Sequence, residues 1–143
     1  MEGPEEEFVG SVLIVDDSRE YAAVLSRILT GVFEFSDVVW AEDPDDARAM
    51  LDEYKDRFRF FFVDYNFHGE QNGTEFLREL SDAGRLEEGF AFLITSEPTP
   101  DNMKEALSYG ALGVIAKPFE REELGRQLEK AKRLWKTRRV ESF

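Results

Sequence analysis

Apolar runs alternate with segments of helical periodicity along the chain, and four of the runs stop at a chemically distinctive side chain. Val12-Leu13-Ile14-Val15 ends in Asp16-Asp17-Ser18, and Phe60-Phe61-Phe62-Val63 ends in Asp64. Phe90 to Ile94 ends in Thr95, and Leu112 to Ala116 ends in Lys117-Pro118. Continuous apolar runs of this length read as strands covered on both faces. Their alternation with helices predicts a parallel α/β sheet.

The first strand is read as Ser11 to Asp16. A helix follows from about Ser18 to Thr30, with Tyr21, Leu25, Ile28, Leu29 and Val32 on its inner face and Gly31 as its stop. Val38 to Trp40 is the second strand. Asp43-Pro44 then caps a helix that buries Ala47, Met50, Leu51 and Tyr54. Arg59 to Asp64 is the most continuously apolar strand and belongs in the centre. After a polar loop, Tyr65 to Gly73, Thr74 to Ala83 forms a helix that buries Phe76, Leu77 and Leu80. Phe90 to Thr95 is the fourth strand, and Pro98 and Pro100 keep the next connection non-helical. A short helix, Asp101 to Tyr109, closes at Gly110, and Leu112 to Ala116 is the fifth strand. The last helix, about 121–139, carries Leu124, Leu128, Ala131, Leu134 and Trp135 on one side, a stripe suited to packing on its own sheet, to a second copy, or to a following module.

A length of 143 residues with 42% hydrophobic composition and 13 Phe suits one domain with a substantial core. The chain divides into an acidic tail at 1–7, a domain at 8–139 and a short tail at 140–143. No apolar stretch approaches the roughly 20 residues that span a bilayer, the acidic start is unlike a signal peptide, and with no Cys the chain reads as cytoplasmic. A net charge of −13 argues against binding nucleic acid or anionic lipid. The local exception is Lys130 to Arg139, with six basic residues and no acid, read as a solvated complement to the negative end of the last helix.

In a parallel sheet the strand ends share one edge, where ligand sites of open sheets lie. Asp16, Asp17 and Asp64 packed together must either raise a carboxyl pKa or recruit a cation, and a hard divalent ion such as Mg²⁺ suits three carboxylates. For Asp16 and Asp17 alone, the plainer reading that they help cap the following helix stays open, with Asp17 or Ser18 as the cap. Thr95 adds a hydroxyl and Lys117 an ammonium, both suited to phosphoryl oxygens.

Asp16-Asp17, Asp64, Thr95 and Lys117-Pro118-Phe119 resemble the receiver domain of two-component response regulators, chemotaxis regulators among them, over about residues 8 to 138. The resemblance implies a flavodoxin-like (βα)₅ fold of strand order 2-1-3-4-5, here with an extended last helix. It implies that Asp64 is the phospho-acceptor for a histidine kinase or phosphotransfer protein. Mg²⁺ would be held by Asp16, Asp17, Asp64 and the Asn66 backbone carbonyl. By the same resemblance Thr95 and Lys117 bind the phosphoryl group, Lys117-Pro118 is a cis peptide, and Asn66 and Glu97 tune dephosphorylation. An unidentified output partner, output domain or phosphorylation-dependent homodimer would read the state.

The chain departs from the family pattern in three places. His68, the only histidine, replaces the usual proline four residues after the acceptor and is read as an inert loop residue. Gly73 falls one residue late. Val114 stands where most receivers carry a switch aromatic, and it has neither hydroxyl nor much rotamer freedom. Two alternatives follow: a degenerate receiver that binds partners without phosphorylation, and a Mg²⁺-dependent aspartyl phosphohydrolase. The second lacks an Asp at position 66 and room for a substrate cap.

Overall fold

The computed structural model describes residues 10–67 and 72–141, with side chains to residue 138; the expectations for the 1–7 tail and for His68 lie outside them. Its elements in order are β1 (Ser11–Val15), α1 (Arg19–Gly31), β2 (Val38–Ala41), α2 (Pro44–Glu53), β3 (Phe58–Asp64), α3 (Gly73–Asp82), β4 (Phe90–Thr95), α4 (Pro100–Ser108), β5 (Gly113–Ala116) and α5 (Arg121–Glu141). All strand pairs are parallel, in the order β2-β1-β3-β4-β5. This is the flavodoxin-like arrangement, and β3 is central as its apolar sequence requires.

Alternation along the strands divides the core into two layers. Val12, Ile14, Phe60, Phe62, Phe92 and Ile115 pack against Leu25 and Leu29 of α1 and Leu124, Leu128 and Trp135 of α5. Leu13, Val15, Phe61, Val63 and Leu93 face Leu51 of α2, Phe76, Leu77 and Leu80 of α3, and Ala106 of α4. Across β3 and β4, Phe60 stacks on Phe90 at 5.5 Å and Phe62 on Phe92 at 5.2 Å between ring centroids. Such aromatic pairs add to the area they bury, so the strand that ends in Asp64 is held from behind by a column of rings.

The structure corrects several local expectations. Val32 and Tyr54 are each 43% exposed, because both are C-cap residues, where the chain leaves the helix and its inner face with it. Gly31 stays helical and Val32 is the cap. Pro100 is the first residue of α4, where its missing N–H costs no helical bond. The last helix runs to Glu141, two residues beyond its expected end, and its apolar stripe packs on its own sheet. Within the basic run, Arg138 is half-buried: its guanidinium lies 4.6 Å from the Phe90 ring centroid and donates to the carbonyls of Gly89 and Leu86. Burial holds its pKa below the ordinary arginine value. It therefore ties α5 to the loop before β4.

Trp135 is 6% exposed in the α1–α5 layer. Trp135→Ala is expected to cost about 3–5 kcal/mol in urea unfolding, the range for truncating a buried aromatic, with an unchanged value arguing that α5 does not contribute to the core.

Candidate functional site

The strand register brings the chemically distinctive residues to one edge. Val15 pairs with Val63, Asp64 with Ile94, and Thr95 with Ala116, so Asp16, Asp64, Thr95 and Lys117 end four adjacent strands at the same level. Main-chain bonds extend the alignment past the strands: Asp16 N–H donates to the Ala41 carbonyl at 3.1 Å and Lys117 N–H to the Thr95 carbonyl at 2.8 Å.

Asp16 is fully buried. Its Oδ1 accepts from Ser18 N–H at 2.8 Å, and its Oδ2 faces Lys117 Nζ at 2.8 Å as an ion pair, without the angle of a hydrogen bond. Lys117 Nζ also donates to Asp64 Oδ1 at 3.2 Å and stands 4.4 Å from the centroid of the Tyr21 ring. The Lys117–Pro118 peptide is cis. Desolvation at the sheet edge and the Asp16 charge push the Asp64 carboxyl up from 3.8 to about 6, with Lys117 pulling the other way.

Asp17 is half-buried beside this pair. The helix cap is Ser18, whose Oγ accepts from Tyr21 N–H at 3.3 Å. Asp16, Asp17 and Asp64 each bring a carboxylate oxygen to within 4.8 Å of the others, a hard-oxygen set near the span of an octahedral ion with bonds of about 2.1 Å. An Asp16 oxygen that is buried without a hydrogen bond fits the same ion.

Thr95 is buried, and its Oγ1 accepts from Glu97 N–H at 3.0 Å. Asn66 and Glu97 are exposed on the loops that follow β3 and β4. Val114, in β5, is half-buried against the α2–α4 layer.

Three residues serve the site in ways their sequence positions did not reveal. The sequence marks Trp40 only as a strand residue; its indole Nε1–H donates to the Asp16 carbonyl at 2.6 Å. Tyr21, read as a core position, lies over the Lys117 ammonium. Gly73 marked only a loop spacing, yet a Cβ there would lie 2.1 Å from the Asp64 carbonyl oxygen, and its N–H donates to the Tyr65 carbonyl. The start of α3 thus sits directly against the main chain of Asp64 and Tyr65. A cavity of about 900 Å³ lies at the opposite edge of the sheet, where Arg57 is tied to Asp37 and Arg85 and Arg138 to main-chain carbonyls. These guanidinium groups brace loops at the amino ends of the strands.

The family model described as Response regulator receiver domain matches residues 12–129. The chemotaxis protein CheY of Pseudomonas aeruginosa is 29% identical over 119 residues, covering 83% of this chain and 93% of that protein. CheY-3 of Vibrio cholerae is 30% identical over 119 residues, covering 83% and 88%. Among solved structures, CheY4 of Vibrio cholerae is similar with a TM-score of 0.74 at 28% identity, covering 86% of this chain and 98% of that one. The chain is also similar in fold to the CheX-CheY-BeF3-Mg+2 complex from Borrelia burgdorferi, with a TM-score of 0.74 at 22% identity, covering 83% and 86%. Among the described residues no helix is long and apolar enough to cross a membrane.

The raised Asp64 pKa has a sign in stability. Between pH 3.8 and about 6 the folded protein binds the proton more tightly than the unfolded chain, so the contribution of Asp64 is most favourable below this window and is lost as pH rises through it. Without divalent ions, Asp64→Asn is therefore expected to be more stable than the wild type at pH 7.5 by on the order of 2 kcal/mol. That advantage should vanish at pH 3.5; an equal difference at both pH values in thermal melts counts against a strained Asp64 carboxylate.

Proposed function

The chain belongs to the response regulator receiver domain family, and from that premise we propose that it is a cytoplasmic two-component receiver. Asp64 accepts a phosphoryl group from a histidine kinase or phosphotransfer protein with Mg²⁺, and a partner surface changes in response. The observation that carries the proposal is the Lys117 ammonium lying between two buried carboxylates, 2.8 Å from Asp16 and 3.2 Å from Asp64, with Asp17 alongside.

In this reading an Asp64 oxygen attacks phosphorus; the new O–P bond forms as the donor's P–N bond breaks, leaving an acyl phosphate. With its carboxyl at about 6, Asp64 is ionised and nucleophilic at neutral pH. Asp16, Asp17, Asp64 and the Asn66 main-chain carbonyl would hold Mg²⁺, which would supply positive charge against the phosphoryl oxygens. Lys117 supplies a second cation already in place. Thr95 Oγ accepts from Glu97 N–H, which leaves the hydroxyl proton to donate to a phosphoryl oxygen. Exposed Asn66 and Glu97 flank the route by which water reaches the acyl phosphate, and so set its lifetime.

Val114 leaves the signal to the β4–α4 connection. Thr95 holds Glu97 N–H, and the Glu97 carbonyl accepts from Thr99 N–H and Asn102 Nδ2, both at 2.9 Å. A move of the Thr95 hydroxyl toward phosphate pulls directly on the start of α4. The chain's own chemistry is confined to gaining and losing this phosphate, and the reader of its state is a protein partner, as CheX accompanies CheY in the Borrelia burgdorferi complex. The same Val114 favours the competing reading of a binding module that works without phosphate.

Incubation with acetyl phosphate is expected to add one phosphate to the wild type by intact mass, only with Mg²⁺, and to add none to Asp64→Asn. The adduct should decay by itself over time. Phosphate on Asp64→Asn rules out the assigned acceptor; a wild type that stays unmodified by both acetyl phosphate and a phosphohistidine donor favours the phosphate-independent module.

A further inference from the structure

Among the described residues, the Lys117 ammonium meets Asp16, Asp64 and Tyr21, and these differ in what a metal ion would do to them. Asp16 and Asp64 are carboxylates that a divalent ion claims for itself. The third neighbour is the face of Tyr21, 4.4 Å from Nζ to ring centroid. An ammonium this close to an aromatic face is attracted by the ring quadrupole, and more strongly when both are withdrawn from water. The Lys117 side chain is only 7% exposed.

The ring is held in place by the residues that build the pocket. Asp16 Oδ1 accepts from Ser18 N–H, and Ser18 Oγ accepts from Tyr21 N–H. The Tyr21 ring lies over Lys117 Nζ, and Nζ returns to Asp16 Oδ2, closing a circuit of four residues. Phe119, just past the cis peptide, meets the Tyr21 ring edge-on at 5.9 Å and 85°, which fixes its tilt. Helix capping, metal binding and placement of the lysine thus share a single framework.

We propose that Tyr21 is a positioning residue for Lys117, its ring face keeping the ammonium in the pocket once Asp16 and Asp64 turn to a divalent ion. The inference rests on Asp64 being the phospho-acceptor. A divalent ion repels the ammonium and takes its two anionic partners, and water would otherwise draw the lysine outward. A neutral ring attracts the ammonium without competing for the ion. Lys117 is then already in position to meet the phosphoryl oxygens.

The test compares the wild type with Tyr21→Phe, which keeps the face, and Tyr21→Leu, which removes it. In NMR spectra the Lys117 ε-methylene protons are expected upfield, under the ring current, in the wild type and Tyr21→Phe but not in Tyr21→Leu. At saturating Mg²⁺ and acetyl phosphate, Tyr21→Leu is expected to be phosphorylated about tenfold more slowly, with Tyr21→Phe within about twofold of the wild type. Mg²⁺ affinity by calorimetry should stay within about twofold for both, since the ring faces the ammonium and not the ion. In a Lys117→Met background, Tyr21→Leu should slow phosphorylation no further, whereas damage to packing would still add its own cost. Wild-type speed in Tyr21→Leu, equal slowing in Tyr21→Phe, or full additivity with Lys117→Met each overturns the role of Tyr21. A wild type that takes no phosphate overturns instead the acceptor reading on which it rests.

Discussion

Two carboxylates drawn out of water at the edge of a sheet repel each other, and a single ammonium between them is what makes their burial tolerable. Asp16 is fully buried and Asp64 is 6% exposed, with Lys117 in contact with both. Removing the ammonium leaves two buried carboxylates without a counterpart, which is more costly than never having buried them, whereas removing Asp64 leaves Asp16 and Lys117 still paired. The surrounding structure is arranged accordingly. Ser18 N–H and the Trp40 indole hold the side chain and main chain of Asp16, Tyr21 lies against Lys117, and Gly73 lets the start of α3 approach the Asp64 main chain. With Asp17 alongside, the same cluster of carboxylates could hold a divalent ion.

Much of this was readable from the chain because parallel strands covered on both faces leave continuous apolar runs, and a polar residue that ends such a run has one place to go. The order of the elements and the meeting of Asp16, Asp64, Thr95 and Lys117 follow from that alone. Contacts set by approach from a distant segment left no local trace. Trp40 and Asp16 are 24 positions apart, and the indole's only mark in the sequence is an aromatic residue in a strand. Tyr21 fits the helical period equally well as a core residue or as a partner of Lys117. Periodicity misplaced Val32 and Tyr54 because it extends an inner face one residue beyond the turn that still points inward.

The helices on the two sides of the sheet stand in different relation to the pocket. α1 and α5 pack on a layer dominated by stacked phenylalanines, with Arg138 fastening the far end of α5 to main-chain carbonyls. α4 is joined to the site through polar links: the Glu97 carbonyl to Asn102, and Glu105 to the Thr74 hydroxyl of α3. Hydrogen bonds of this kind exchange partners at smaller cost than aromatic packing rearranges. Conformational change therefore has an easier path through α4 than through the α1–α5 layer, whatever residue occupies position 114.

Only two tryptophans are present, and they sit in contrasting places. Trp135 is sealed in the core, whereas Trp40 is 37% exposed with its indole hydrogen bond on the very residue whose charge the pocket must balance. Indole emission follows local polarity and hydrogen bonding, so the exposed ring is placed to sense a change at its acidic neighbour, and the sealed one, set apart from the pocket, to act as an internal reference.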